Sequence, residues 1–467
     1  MLTVERIATW SLEDHRTLHS PIVLRQARLL LLDTIGCACA ALASGEASSA
    51  INVVAQLGGE PQATLIGSPI RTSAVNAVFA NGALVRVLDL NDITFVSQGK
   101  TLGLGGHRSD NIPVALAIAE LCAADGRAVL EAIILNYELY GRLQHLMPKG
   151  APWDVSSVSG MVAAAMCGRI MGLDARRLAH SLALAAVRSA TPRIVRSGNV
   201  SAAKSLANAF AAQAGVHSAM LAAEGITGPL EILDDRKAGL FEVFGPDTDR
   251  QILSAEIPEV PAILETDIKN FPCIGTCQTG VQAALNLRDE LSDRTDKIAR
   301  IEVIMADRSV VRHQQADPAR LQPKSREAAD HSFPYLIAVA LLDGELTHSQ
   351  FEGERWSTDA EVLRLMQCLS LGVSEDLADK APSSMPCRLE IELRDGTHLS
   401  TECLCPSGHS FPDQGLDQSV VEEKYFEVVR GALAPSDAEA VLGDVLSIEQ
   451  DGRLQSLMNR LAFASTD

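Results

Sequence analysis

The sequence of 467 residues has few aromatic side chains, no Lys/Arg cluster and no obvious membrane segment. Aromatic residues make up 4% of the chain although 47% is hydrophobic, so the core must be built from aliphatic side chains on helices. No window approaches the roughly 18 apolar residues needed to span a bilayer. The opening MLTVERIATWSLEDHR carries acids and lacks the apolar segment of a targeting signal. We therefore expect a cytoplasmic protein without a membrane partner.

The charge of the chain is strongly negative. There are 40 basic and 59 acidic residues, which gives a formal net charge of -19. An acidic protein repels phosphate backbones, and this argues against a nucleic-acid partner. An anionic substrate must therefore meet a pocket that is locally positive.

The ten cysteines lack the two-residue gap of a zinc or redox motif. The closest groupings are Cys37 with Cys39, Cys273 with Cys277, and Cys403 with Cys405. An iron-sulfur cluster is possible by count alone, but no spacing supports it. We interpret the cysteines as reduced, mostly buried thiols and predict no metal site.

Two regions of the chain differ in the spacing of their apolar residues. Residues 1–266 alternate apolar helical stripes with short Gly/Pro/Asn breaks, which predicts an all-α domain that residues 410–467 complete. Residues 267–409 predict a smaller α+β lid. There, 297–306 and 387–404 alternate apolar and polar residues, and Asp395-Gly396 is a hairpin turn signal. The prediction is a mainly α fold with a helix over 359–372 of the lid.

Polar residues gather around a glycine-rich loop in LDLNDITFVSQGKTLGLGGHRSDNIPVALAIAE, residues 88–120. Asp89 ends a helical pattern, where the helix dipole disfavours negative charge, and this predicts a pKa raised toward that of a general base. Asn91 and Asp92 follow it. His107 and Arg108 lie just before the next helix, where free amides and cationic side chains favour an anion site.

Three further helix starts carry cations, hydroxyls or imidazoles: Arg196 with Lys204, Lys269 with Thr276, and His331 with Tyr335. Taken singly, the lysines could be surface residues, His331 a capping or core histidine, and Tyr335 a core aromatic. Lys204, however, falls in the first turn of a predicted helix, where a cation opposes the dipole, and such a departure favours a functional role. If these helix starts converge, the pocket would bind a multiply charged carboxylate.

Several motifs resemble the MmgE/PrpD superfamily over nearly the full length. They are LDLNDITF, GGHRSDNIPVALAIAE, KNFPCIGTCQTGVQAAL, EAADHSFPYLIAVALLDGELT, and RDGT followed by CPSGH. The resemblance, closest to the 2-methylcitrate dehydratase branch, implies a large all-α domain closed by both chain ends, an α+β lid and an active site between them in a homodimer. It implies neither metal nor organic cofactor, and it puts Asp89, His107, Lys204, Lys269 and Tyr335 on pocket positions.

The chain departs from the family patterns at four positions. Arg108 replaces a proline of the dehydratase branch, and Thr276 stands where that branch carries a histidine. Asp154 and Ile274 occupy positions where the decarboxylases usually carry histidines, which weighs against cis-aconitate decarboxylation.

The resulting hypothesis is a cofactor-independent hydro-lyase acting on a citrate-like tricarboxylate. Removal of a proton next to a carboxylate builds charge that cations stabilise. Asp89 or His107 would take the proton, and the other, helped by Tyr335, would protonate the departing hydroxyl. The candidates for substrate binding are Asn91, Asp92, Arg108, Arg196, Lys204, Thr276 and His331, and Lys269 joins the catalytic set.

Three alternatives stay open. One is an epimerase or isomerase of an imino- or amino-dicarboxylate, in which His107 and Lys269 would work from opposite faces. Another is a decarboxylase of the cis-aconitate type. The third is an inactive dimer that only binds carboxylates, which the changes at Arg108 and Thr276 keep open.

Overall fold

The computed structural model describes residues 1–98, 101–147, 152–188, 190–198, 200–240, 250–380 and 384–463. The first group of helices is α1 (Thr3–Leu12), α2 (Pro21–Ala40), α3 (Gly45–Leu57), α4 (Ala74–Val87), α5 (Ile112–Cys122), α6 (Gly126–Leu146), α7 (Ser159–Ile170), α8 (Ala175–Arg188) and α9 (Ala203–Ala223). Two short hairpins accompany them: β1 (Ala63–Thr64) with β2 (Arg71–Thr72), and β3 (Thr94–Gln98) with β4 (Thr101–Gly106).

The second group contains both helices and strands. Its helices are α10 (Gln278–Leu291), α11 (Arg308–Ala316), α12 (Pro318–Leu321), α13 (Arg326–Ala329), α14 (Phe333–Asp343), α15 (Arg355–Thr358), α16 (Ala360–Cys368) and α17 (Glu375–Lys380). Its strands are β5 (Ile298–Met305), β6 (Leu369–Val373), β7 (Cys387–Leu393) and β8 (His398–Cys403). The chain ends with α18 (Gln418–Val428), α19 (Pro435–Leu446) and α20 (Arg453–Leu461).

The buried apolar side chains form two separate cores. The first draws on residues 4–268 and again on 416–461, so the C-terminal helices complete the helical body. The second lies within 273–403 and belongs to the lid. The predicted mainly α fold with a smaller α+β part is confirmed, while the domain boundaries at 266 and 409 stay a prediction.

Small residues let the central helices approach closely. A Cβ on Gly215 of α9 would lie 2.2 Å from the carbonyl oxygen of Gly160 and 2.8 Å from the Cβ of Ala163 in α7. A Cβ on Gly82 of α4 would lie 3.2 Å from the Cβ of Ala209 in α9. Because α9 packs tightly against α4, the polar side chains near the N-terminus of α9 can reach the C-terminal end of α4.

The lid contains a four-stranded sheet in the order β6-β5-β7-β8. β5 pairs with β6 in parallel and with β7 antiparallel, and β7 pairs antiparallel with β8. The predicted hairpin turn is confirmed, with Gly396 at a φ of 84°. The predicted helix over 359–372 was wrong in its last four residues, because Leu369–Val373 is the edge strand β6.

Two other expectations about the helical body need correction. The short hairpins β1–β2 and β3–β4 interrupt what we expected to be an all-α region. In addition, residues Pro21–Ala43 are long and apolar enough to cross a membrane, contrary to the expectation that no window approaches that length. However, 78% of that window is buried inside the fold, so the segment is a core helix here.

Candidate active site

Asp89 lies at the point where α4 ends. Its backbone φ is 53°, in the left-handed region that side chains other than glycine seldom adopt. Its N–H donates to the carbonyl oxygen of Arg86 at 3.1 Å, which closes the last turn. This conformation turns the chain away from the helix axis and places the buried Asp89 carboxylate between the body and the lid.

Three buried cations converge on the Asp89 carboxylate. Arg86 Nη1 and Lys269 Nζ each lie 2.5 Å from Oδ1, and Lys204 Nζ lies 2.9 Å from Oδ2. Arg86 comes from the last turn of α4 and Lys204 from the first turn of α9, while Lys269 lies in the segment between body and lid. The predicted convergence of Asp89, Lys204 and Lys269 is therefore observed.

The charge state of Asp89 differs from the sequence prediction. Burial alone would raise the pKa of this carboxyl, but the charges of Arg86, Lys204 and Lys269 outweigh burial and hold the pKa well below its usual value. The prediction of a raised pKa was wrong, because it considered only the helix dipole and not these cations. Asp89 is ionised at neutral pH and is a poor proton acceptor.

The lid contributes Asp330 and His331 to the same cluster. Lys204 Nζ lies 3.1 Å from Asp330 Oδ2, and His331 Nε2 lies 3.8 Å from Asp89 Oδ2. His331 Nδ1 contacts Asp330 Oδ1, and since an ionised carboxylate only accepts, we assign the proton to Nδ1. The lone pair of His331 is then on Nε2, which faces Asp89.

The imidazole of His331 is neutral at pH 7. Burial and the neighbouring Lys204 lower its pKa to about 4, although Asp330 opposes this shift. Burial raises the pKa of the Asp330 carboxyl, but the charge of Lys204 and the hydrogen bond from His331 together lower it, so Asp330 stays ionised. The Asp330 carboxylate orients the neutral ring with its Nε2 lone pair toward Asp89, and a bound substrate carboxylate would raise the pKa of this weak base.

His107 lies on the other side of Arg86. Its Nδ1 is 2.6 Å from the carbonyl oxygen of Asp92, so Nδ1 donates and Nε2 accepts from Arg86 Nη2 at 3.0 Å. Burial and the charge of Arg86 lower the pKa of His107 well below its usual value. The lone pair of His107 is thus engaged by a guanidinium, unlike that of His331.

Asn91 and Asp92 lie behind the cluster and bond to the segment that follows His107. The Asn91 amide donates to Ser109 Oγ and to Asp110 Oδ1, both at 2.8 Å. Asp92 accepts from Ser109 Oγ at 2.5 Å and from Tyr137 Oη at 2.7 Å. Asn91 Oδ1 also accepts from Arg86 Nη1 at 3.3 Å, so Asn91 joins the cluster to the segment after His107. These contacts fix the positions of residues 89–92 relative to His107.

Three predicted site residues lie elsewhere. Arg108 points away and donates to the carbonyl oxygen of Ala262 at 3.0 Å. Arg196 pairs with Asp154 at 2.7 Å. Tyr335 packs in the lid core against Phe351 and Trp356, and its hydroxyl donates to the carbonyl oxygen of Gln350.

These positions correct three of the predicted roles. The proton donation expected of Tyr335 is not supported, because Pro334 and Tyr335 lie inside α14 and the ring faces the lid core. Arg108 and Arg196 are not among the cations that neutralise Asp89. The hydroxyl of Thr276 is buried and meets no partner within the residues that the structure describes.

A cavity of about 1100 Å³ lies between the body and the lid. Its lining includes Arg108, Glu138, Arg142, Gln278 and His409. The charged cluster around Asp89 does not line this cavity and is closed to solvent in the described part of the chain, since Asp89, Lys204 and Lys269 are at most 2% exposed.

The carboxylates of Asp89 and Asp330 and the imidazole of His331 each offer an atom within 4.8 Å of the others. Such a set has the composition of a metal site. Here Lys204 Nζ lies 2.9 Å from Asp89 Oδ2, 3.1 Å from Asp330 Oδ2 and 3.3 Å from His331 Nδ1. The ammonium group thus provides the positive charge that the two carboxylates share, while the protonated Nδ1 of His331 accepts no hydrogen bond from it.

Comparison with known proteins identifies the family of the chain. The MmgE/PrpD N-terminal domain matches residues 5–253, and the MmgE/PrpD C-terminal domain matches residues 271–448. The chain belongs to the MmgE/PrpD family. The family resemblance inferred from the motifs is therefore confirmed.

Relatives in the MmgE/PrpD family carry the names of enzymes. A probable 2-methylcitrate dehydratase of Saccharomyces cerevisiae is 29% identical over 427 residues, which cover 85% of this chain and 80% of the relative. A 2-methylcitrate dehydratase of Cupriavidus necator is 27% identical over 408 residues, covering 82% and 81%. The cis-aconitate decarboxylase of Homo sapiens is 26% identical over 453 residues, covering 91% and 88%. These names support an enzyme of this family.

Sequence reasoning missed Arg86 and left Asp330 out of the candidate site. Arg86 carries the one charge in the otherwise uncharged α4, three residues before Asp89, and this isolated charge was an available signal. The N-cap of α14 is Ser332, whose hydroxyl accepts from the N–H of Tyr335. In this MmgE/PrpD chain Asp330 instead orients His331 and contacts Lys204.

Proposed function

We propose that the chain is a cofactor-independent hydro-lyase that removes water from a citrate-like tricarboxylate, similar to 2-methylcitrate dehydratase. The observation that carries this proposal is the convergence of Arg86, Lys204 and Lys269 on one buried carboxylate, beside the neutral imidazole of His331. The names of the relatives support the same reaction class.

The charge balance of the cluster favours a carboxylate ligand. The three cations face the carboxylates of Asp89 and Asp330, so one positive charge is left over while the histidines are neutral. A third carboxyl, Asp110, lies 3.8 Å from Arg86 Nε, and burial raises its pKa to about 7. A substrate carboxylate entering between lid and body would compensate the excess charge.

The proposed reaction begins at His331. Its Nε2 takes a proton from the carbon next to a substrate carboxylate, and the electron pair moves onto the carboxylate oxygens. Arg86 and Lys204 stabilise the charge that develops there. This assignment replaces Asp89 and His107 as the base, because Asp89 is held ionised by three cations and the His107 lone pair already accepts from Arg86.

Lys269 is the proposed proton donor to the departing hydroxyl. Burial lowers the pKa of its ammonium group, which makes the group a better acid than an exposed lysine. As the carbon–oxygen bond breaks, the electron pair on the substrate forms the carbon–carbon double bond, and the hydroxyl leaves as water with the proton of Lys269. To reset the site, His331 releases its proton to solvent, and Lys269 takes up a proton from solvent.

The test is a panel of 2-methylcitrate, citrate and smaller dicarboxylates followed by NMR and by the absorbance of the unsaturated product. We expect water elimination from a tricarboxylate and its loss in Lys269→Gln. Arg196→Gln is the matched control, because Arg196 is a cation predicted from the sequence that pairs with Asp154 outside the cluster. Turnover of no tricarboxylate, or equal loss in both variants, would contradict the proposal.

An epimerase of a dicarboxylate is the second candidate. His331 and Lys269 contact different oxygens of Asp89, Oδ2 and Oδ1, so two proton-transfer groups approach the same place from different sides. Solvent deuterium in recovered substrate without an unsaturated product would identify this reaction. Release of carbon dioxide would instead identify a decarboxylase, and binding without turnover an inactive protein.

We also propose a homodimer in the cytoplasm. The experiment for the oligomeric state is light scattering of the purified chain, where a mass near twice 49.8 kDa is expected.

A further inference from the structure

The backbone carbonyls around Asp89 are held by side chains from distant segments. The donors are Arg326 Nη1 to the Val87 oxygen at 2.9 Å, Lys269 Nζ to the Asp89 oxygen at 2.5 Å, Lys424 Nζ to the Leu90 oxygen at 2.9 Å, and His107 Nδ1 to the Asp92 oxygen at 2.6 Å. Because carbonyls of one short segment are fixed from several directions, the path of the chain through residues 87–92 is tightly defined.

Lys424 differs from the other donors because it comes from the C-terminal helix α18. Its Nζ lies 2.5 Å from Asp33 Oδ1 in α2, and both side chains are buried. Burial lowers the pKa of Lys424, but the charge of Asp33 and its hydrogen bond together raise it, so the lysine is charged. The nearby Cys37 Sγ, at 3.9 Å, is a weak further partner.

Lys424 contacts the segment 87–92, whose backbone conformation at Asp89 is unfavourable without support from the rest of the fold. Asp89 has a φ of 53°, and a residue other than glycine keeps such a conformation only when its surroundings impose it. Leu90 directly follows Asp89, so a donor on the Leu90 carbonyl restrains the peptide plane beside the strained residue. That restraint determines where the Asp89 carboxylate points.

We propose that Lys424, held by Asp33, is a positioning residue that sets the Asp89 carboxylate against its three cations through the Leu90 carbonyl. The effect on turnover rests on the proposed function, whereas the effect on the geometry does not. A buried ion pair that serves only the stability of the α2–α18 contact is the competing explanation, and a pair of apolar replacements separates the two.

The decisive variant is Asp33→Leu/Lys424→Met, which replaces both charges with side chains of similar size. Removing one charge alone leaves the other buried without its partner, whereas apolar replacement of both commonly preserves stability. The Leu90 carbonyl nevertheless loses its donor. We expect the double variant to melt above either single variant, with kcat reduced about 10- to 100-fold and KM changed far less.

The matched control is Arg28→Met/Glu449→Leu. This pair also joins α2 to the C-terminal part of the chain, with Arg28 Nη2 2.6 Å from Glu449 Oε1, but it contacts none of the residues 87–92. Its kcat should equal that of the wild type. A purely structural role of Lys424 predicts that both double variants behave alike, and that result would overturn the proposal.

A second measurement does not require turnover. His107 Nδ1 donates to the Asp92 carbonyl in the same segment, so its ring nitrogen resonances in protein labelled with ¹⁵N-histidine report the segment directly. The resonances of His107, assigned with His107→Gln, should shift in Asp33→Leu/Lys424→Met and stay in place in the control. Unchanged His107 resonances would overturn the inference, while absent turnover in the wild type would contradict only the proposed hydro-lyase.

Discussion

Asp89 and Asp444 are both buried carboxylates that meet more than one cation, yet their surroundings differ. Asp444 of α19 accepts from Arg453 at 2.9 Å and Arg460 at 3.1 Å, and these arginine side chains are 46% and 39% exposed. All its partners lie within the next 16 residues. The side chains of the cations on Asp89 are at most 1% exposed and come from three separate segments.

The difference shows what distinguishes a site from a local contact between helices. A carboxylate that joins neighbouring helices through hydrated arginines contributes modest stability and carries little desolvation cost. A carboxylate that gathers buried cations from distant segments has a large desolvation cost, which stability alone does not require. A cluster of charges therefore says less about function than the burial of those charges and the separation of their residues along the chain.

The largest expected effect is at His331, which lies beside Asp89, whereas the side-chain hydrogen-bond partners of Asp444 among the described residues are Arg453, Ser456 and Arg460. His331→Gln removes the proposed base and should lower kcat by about 10²- to 10⁴-fold. His398→Gln, at an exposed position of the lid, is the control and should retain full turnover. Steady-state kinetics on the best tricarboxylate measure both, and near-normal rates in His331→Gln would remove His331 from the mechanism.

The pH profile of the wild type sharpens this assignment. His331 must be neutral to accept a proton, and its pKa is lowered to about 4 by burial and Lys204. We expect the acid limb of kcat/KM to fall near pH 4, with little change between pH 5.5 and 7. A limb centred near pH 6.5, the usual value for histidine, would point to a more exposed imidazole.

Asp89→Asn should cost about 3–5 kcal/mol of unfolding free energy, because three buried cations lose their main counter-charge. Urea denaturation followed by circular dichroism measures this loss. Addition of citrate should restore more stability to the variant than to the wild type, because an anion can replace the missing carboxylate. A variant as stable as the wild type would show that the cations do not depend on Asp89.

The difference in unfolding free energy between the wild type and Asp89→Asn should depend on pH. The folded pKa of Asp89 is depressed, so its stabilising contribution is present above the unfolded value of about 4 and is lost as the pH falls toward the folded pKa. The stability difference between the wild type and Asp89→Asn should stay constant from pH 8 to pH 5 and shrink below about pH 4. A difference that already shrinks near pH 6 would contradict the lowered pKa.

Asp444→Asn should have a smaller effect of about 1–2 kcal/mol, since its arginine partners are hydrated and return to water when released. Turnover should not change. Loss of activity in this variant, measured beside Asp89→Asn, would mean that the local contact and the buried cluster are coupled.

The smallest effect is expected for Tyr335→Phe. The hydroxyl donates to the Gln350 carbonyl in the lid core, and its removal should cost about 1 kcal/mol while kcat stays within about twofold. A large loss of kcat with an intact fold would restore the catalytic role first predicted for Tyr335.

The sequence predicted those features that depend on local patterns. The period-two strands and the Asp395-Gly396 turn were recognised because hairpin chemistry is local, and Lys204 was recognised because it stands out in the first turn of α9. The strand β6 was not recognised from the sequence. Leu369–Val373 forms a strand only through parallel pairing with β5, and the two strands are distant along the chain.

The sequence predicted which residues form the candidate site better than it predicted their charge states. Asp89, Lys204 and Lys269 were expected to meet, but the direction of the Asp89 pKa shift was wrong because the influence of Arg86 depends on tertiary packing. Arg108 and Tyr335 were included on pattern and resemblance, yet the direction of a side chain depends on its neighbours, here Ala262 and Gln350.

The return of the C-terminal helices to the first core has a consequence for synthesis. A chain emerging from the ribosome exposes the lid residues 273–403 before α18, α19 and α20 exist, although those helices complete the core that begins at Val4. The lid can therefore fold during translation before α18, α19 and α20 are available to complete the helical body. Since Lys424 lies in α18, the restraint on Leu90 forms only after α18 has been synthesised.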